Sequence, residues 1–143
     1  MPVPRETLIV LREWVAKAEE DWMAVRLVLR GGADCPPEVA CFHAQQCIEK
    51  YAKASLVLHG TAFPKTHDIR LLWNLLPQDS RPMLDQATQD RLTEFATVTR
   101  YPGEYEAVSL SEARKAASTT RLIRKALRSG LPRAALRRGG RSR

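Results

Sequence analysis

Apolar residues recur at three- and four-residue spacing in five stretches of the chain, and no stretch shows the alternation expected of a strand. The first stretch runs roughly from Glu6 to Arg30, with Leu11, Trp14, Val15, Ala18, Trp22, Val25 and Leu29 making one apolar stripe before Gly31 and Gly32. The second runs roughly from Pro36 to His59. Asp34 or Cys35 serves as its cap, Pro36 and Pro37 suit its first turn, and Gly60 stops it. Its buried face is Ala44, Cys47, Ile48, Tyr51, Ala54, Ser55 and Leu58, small enough in places for a neighbour to approach closely. A short third helix is expected from a Thr66 cap, with His67 and Asp68 in its first turn, ending before Pro77. The fourth is expected from Asp79 or Ser80, carrying Leu84, Ala87, Leu92 and Phe95 inward. Arg100-Tyr101-Pro102-Gly103 reads as a turn. The fifth helix opens on the capping box Ser109-Leu110-Ser111-Glu112. It carries Ala113, Ala116, Ala117, Thr120, Ile123 and Leu127 on its apolar side, and Gly130 and Pro132 close it.

Four longer helices and one short one, joined by short loops, predict an all-α fold, an up-and-down antiparallel four-helix bundle with one additional short helix. At 143 residues and 44% hydrophobic the chain is long and apolar enough for one buried core, in one domain over residues 1–130. No apolar run reaches the roughly 18 residues needed to span a bilayer, and no leader pattern opens the chain, so a cytoplasmic location without membrane contact is expected. Three cysteines, Cys35, Cys41 and Cys47, do not make a disulfide framework in such a context.

Charge changes the picture at one end. The net charge is +7, but residues 131–143 hold five arginines and no acid, so the rest of the chain carries only about +2. Residues 131–143 are therefore expected to be a disordered Arg-rich tail, either an electrostatic hold on nucleic acid or a solubilising end.

Candidate chemistry concentrates on the second helix. At about 100° per residue, His43, Gln46, Lys50 and Lys53 fall within an arc of about 80°, away from the centre of the buried face. That stripe is either an ordinary solvated face or a polar groove suited to phosphate, in which lysines supply charge and His and Gln supply directional bonds. Asp21, at the edge of the first helix's stripe, and Arg100, beside a rigid turn, are placed to join it. Metal chemistry is not indicated. His43 and Cys47 lie four residues apart, but no second pair with ligand spacing exists, and neither Glu-x-x-His pairs nor a Gly-rich phosphate loop occurs. No cofactor is implied.

The run Cys41-Phe42-His43-Ala44-Gln45-Gln46-Cys47-Ile48-Glu49-Lys50-Tyr51-Ala52-Lys53-Ala54 resembles the HEPN family. Phe63-Pro64-Lys65-Thr66-His67-Asp68-Ile69 and Arg100-Tyr101-Pro102-Gly103 follow in the family's order and spacing. The resemblance covers roughly residues 10–128 and excludes the tail. It implies a helical bundle that commonly dimerises, with its polar groove near the dimer seam, and His67 in the second of these motifs is a further candidate for phosphate binding. Many members are similar to the toxin half of a toxin–antitoxin pair whose partner is a minimal nucleotidyltransferase; others look like nucleotide-binding modules. RNA-cleaving members carry an arginine followed after four to six residues by a histidine. Arg100 matches the arginine, but the residues after it, through Ala107, include no histidine, and Tyr105 stands nearest that position.

Metal-free RNA cleavage needs a base for the 2′-hydroxyl, an acid for the leaving oxygen and a cation for the phosphorane. Arg100 supplies the cation. Tyr105, with an ordinary pKa of about 10, is a poor base at neutral pH, which leaves His43 or His67 as substitutes if the fold brings one close. The leading expectation is a weakly active or non-enzymatic domain that binds nucleotide or RNA phosphate in a basic groove beside a nucleotidyltransferase partner. A metal-independent ribonuclease toxin and a non-catalytic dimerisation or interaction module are the alternatives, and whether the chain is an enzyme stays open at this point.

Overall fold

The computed structural model describes residues 2–137. Within them all regular structure is helical: α1 (Arg5–Leu29), α2 (Pro37–Leu58), α3 (Ile69–Leu75), α4 (Gln86–Ala96), α5 (Leu110–Ser129) and α6 (Arg133–Leu136), with single 3₁₀ turns at Gly32–Asp34, Gln78–Ser80 and Val98–Arg100. No helix among the described residues is long and apolar enough to cross a membrane.

The periodicity places α1 and α2 to within a residue or two. The turn between them uses Gly32 at φ +58°, and Gly60 at φ +67° follows α2, both in the left-handed region that glycine tolerates best. Two starts differ from expectation. Thr66 does not cap α3; its hydroxyl accepts from the Asp68 backbone N–H instead, and Asp68 then caps the helix by accepting from Leu71 N–H. The helix therefore begins after His67 and Asp68 rather than around them. Likewise, residues 78–80 make one 3₁₀ turn that goes no further. Pro82 holds Arg81 in extended backbone (φ −85°, ψ 113°), and α4 starts only after Asp85, which accepts from Thr88 N–H. That later start turns Ala87 outward and buries Gln89 with Leu92 and Phe95. Neither Asp34 nor Cys35 caps α2, whose N-cap is Pro36 with Pro37 in the first turn.

α2 is the hub. It packs against α1, α5, α4 and α3, and fourteen of its twenty-two residues are buried. α1 runs antiparallel to it, since Asp21 meets His43 and Lys50 while Trp14, earlier on α1, lies under Lys53. α5 runs parallel to α2, with Glu38 opposite Tyr105 at one end and Tyr51 opposite Arg128 at the other. Ala40, Ala44, Ala52 and Ala54 of α2 and Ala113 and Ala116 of α5 are all buried, and side chains this small let the helix axes approach.

The packed body extends past residue 130. Leu131 and Ala135 are buried, α6 rests on α1, and Arg12 Nε donates to the Ala134 carbonyl at 2.9 Å. The start of the expected tail is thus part of the core, because Leu131 and Ala135 supply the apolar face that the arginine count obscured. Arg138, Arg141 and Arg143 lie outside the described residues.

Candidate functional site

The polar residues of α2 converge on two carboxylates. The first is Asp21 of α1, 7% exposed. Lys50 Nζ donates to its Oδ2 at 2.6 Å, and His43 Nδ1 lies 2.8 Å from its Oδ1. A carboxylate only accepts, so Nδ1 carries the hydrogen of that bond. The other ring nitrogen, Nε2, has no hydrogen-bond partner among the described residues.

The second carboxylate is Glu49, 3% exposed. Gln45 Nε2 donates to Oε1 at 3.2 Å, His67 Nδ1 lies 2.7 Å from the same oxygen, and Lys53 Nζ donates to Oε2 at 3.1 Å. Gln46 Nε2 donates to Gln45 Oε1 at 2.7 Å. Lys53 and Gln45 also donate to the carbonyls of Thr66 and His67, at 2.8 and 3.1 Å. The loop between α2 and α3 is thereby strapped onto α2. Lys53 further lies 5.6 Å from the Trp14 ring centre and 5.9 Å from that of Phe63, aromatic faces that suit a cation.

The stripe read from helical spacing is therefore neither a solvated face nor an open run of positive charge. Gln46 and Lys53 are buried, His43 and Lys50 are half-buried, and both ammonium groups are matched by carboxylates. Burial of such groups is tolerable because they are paired and bonded. Gln45 and Glu49 escaped the sequence reading, although Gln45-Glu49-Lys53 is a ladder at four-residue spacing with the acid N-terminal to the base, itself a recognisable signal.

Arg100 is different. It is exposed, its guanidinium lies 3.8 Å from the centre of the Phe42 ring, and no carboxylate reaches it among the described residues. The Phe42 ring in turn meets the His43 imidazole edge-on, centres 5.2 Å apart. Guanidinium and imidazole are thus no further apart than those two contacts together allow. Arg100, Phe42 and His43 form one corner, exposed at Arg100 and half-buried at Phe42 and His43, with Asp21 bonded to His43.

A family model described as "HEPN domain" matches residues 11–130, most of the chain. The chain belongs to the HEPN domain family. No curated protein and no solved structure matched it. In this HEPN domain Tyr105 takes no place beside His43; its hydroxyl donates to Glu38 Oε1 at 3.1 Å near the start of α2. That bond raises the phenol's pKa above its ordinary value, which weakens it further as an acid and as a source of base. Among the described residues no group of three or more His, Cys, Asp or Glu is arranged to hold a metal ion. Burial pushes the Cys41 thiol up to about 12 and raises that of Cys47 as well, so both are core residues of the HEPN fold. Two shallow clefts lie elsewhere, one between α4 and α5 at Arg91 and Glu112, the other at the C-terminal ends of α2 and α5.

Proposed function

We propose that this HEPN domain binds the phosphate of a nucleotide or of RNA at the corner made by Arg100, Phe42 and His43. The observation that carries the reading is the Arg100 guanidinium, exposed, unpaired among the described residues and seated 3.8 Å over the centre of the Phe42 ring. A guanidinium held against an aromatic ring presents paired N–H donors to a phosphate and loses less freedom on binding than a free side chain. In this reading Asp21, Lys50, Gln46, Lys53 and His67 are the frame that sets His43 and Phe42. The four long helices act as an up-and-down bundle that pairs as a homodimer and works beside a nucleotidyltransferase partner in a toxin–antitoxin type of pair.

The test is binding of a nucleoside triphosphate and a short RNA to wild type and Arg100→Ala. Loss of affinity of about tenfold or more is expected, in line with a charge-assisted contact of about 1.5–3 kcal/mol. Equal binding by both proteins removes the proposal.

A second reading, metal-independent RNA cleavage, is favoured by the Asp21–His43 contact. A carboxylate holds one ring nitrogen and leaves Nε2 without a partner among the described residues, the arrangement of an oriented general base, and Phe42 links that imidazole to Arg100. Cleavage of RNA in EDTA, abolished in both Arg100→Ala and His43→Gln, is its signature. An intact wild-type protein that leaves RNA uncut excludes it.

A further inference from the structure

On the other edge of α1, away from Asp21, a second concentration of positive charge faces water. α1 and α5 run antiparallel there, with Glu19 opposite Arg124 and Arg128, and Trp22 opposite Arg121. Trp22 is 6% exposed and part of the apolar core, and three guanidiniums gather at its ring: Arg26, Arg121 and Arg124 stand 6.0, 5.9 and 5.8 Å from the ring centre. Glu19 neutralises Arg124 in a two-pronged ion pair and also reaches Arg128 at 3.4 Å. Arg128 has a further anchor, donating to the hydroxyl of buried Tyr51 at 2.8 Å.

One carboxylate thus serves two arginines. Arg26, Arg121 and Lys125 are exposed and have no carboxylate partner among the described residues. Like charges gathered at this density repel one another, and a bound polyanion relieves that repulsion. On α5, Arg121, Lys125 and Arg128 follow at four and three residues, so the row advances by about 5 Å per step along one face, comparable with the spacing of phosphates along a nucleic-acid strand.

We infer that the α1–α5 face, through Arg26, Arg121 and Lys125, binds the sugar–phosphate backbone of a single-stranded nucleic acid. The contact is electrostatic and reads no bases. The inference rests on the preceding reading only for the class of ligand; the two surfaces lie on opposite edges of α1. A strand held here is one too long for the Arg100 corner alone.

The experiment measures binding of a mixed-sequence RNA of about 20 nucleotides to the full chain by fluorescence anisotropy across a salt series. Arg26→Ala, Arg121→Ala and Lys125→Ala are combined in one variant. Lys17→Ala, Lys65→Ala and Lys115→Ala, combined, remove the same charge from exposed positions elsewhere. The first variant should lose about tenfold in affinity at low salt, and its salt slope should flatten by about 2, for three phosphates released. The second should keep the wild-type slope. Equal losses in both variants, or an unchanged slope in the first, overturn the inference. So does binding of anionic phospholipid vesicles by wild type in place of RNA. Arg100→Ala reads out separately through a mononucleotide, which is too small to span the α1–α5 face.

Discussion

At Glu49, donors from α2 and from the loop after it converge on one carboxylate that water barely reaches. Removing it strands the Lys53 ammonium, itself 6% exposed, and releases the strap on the α2–α3 loop. Glu49→Ala should therefore cost about 3–5 kcal/mol in urea denaturation. A cost below about 1 kcal/mol would mean that water replaces the carboxylate and that the strap holds without it. The two central thiols give an independent check on packing. With burial holding the Cys41 thiol near 12 and raising that of Cys47, a native sample at neutral pH should react with iodoacetamide at these positions only as fast as it unfolds. Residue type and spacing made both cysteines legible as core. They did not make Glu49 legible, because what buries it is a loop that folds back over the helix, and a helical wheel carries no information about loops.

The helices differ in how openly the chain declares their ends. Ser109 accepts from Glu112 N–H at 3.0 Å, as the serine-to-glutamate spacing predicts, and Ser109→Ala should cost about 1 kcal/mol. Glu112 does not complete the reciprocal half of that motif. It turns instead to Arg91 of α4, which donates to both its oxygens, and this bond lowers the Glu112 carboxyl below the ordinary glutamate value. A carboxyl depressed in the folded state contributes stability above its unfolded pKa and loses it as pH falls through the folded one. Arg91→Ala should therefore lower stability at neutral pH, flatten its fall as pH drops through the glutamate range, and cost little once the carboxyl is protonated in both states; parallel curves for the two proteins would rule out this linkage. The starts of α3 and α4 were harder to read. Thr66 and Ser80 are acceptable caps by type, and only the competing hydrogen bond at Asp68 and the backbone constraint before Pro82 decide against them.

Across the whole molecule the sequence pattern yields the helical class, the extent of α1, α2 and α5, and the polar character of one side of α2. It does not yield which of those polar groups are spent on one another. Lys50 and Lys53 look like ligands in a linear sequence and are counter-ions in space; Arg100 is exposed and has no carboxylate partner among the described residues. The C-terminal boundary shows the same limit, since five arginines after residue 130 draw attention from Leu131 and Ala135, which are buried. Deletion after Gly130 removes that apolar contact and the Arg12–Ala134 bond, and should lower stability by about 2–3 kcal/mol. Deletion after Arg137 keeps both and should leave the melting transition in place. A test of the terminal arginines in nucleic-acid binding belongs on the shorter deletion.

The central placement of α2 also fixes an order in time. Every other long helix touches it, and from Tyr51 to Leu56 no residue offers a side open to water. No local fluctuation of one neighbour suffices to bare its backbone amides, so in heavy water these should exchange last, and only when the entire molecule opens. Their exchange rate, divided amide by amide by the intrinsic rate of an unprotected amide, then gives the equilibrium constant of global opening. It measures the stability of the domain under native conditions, with no denaturant added.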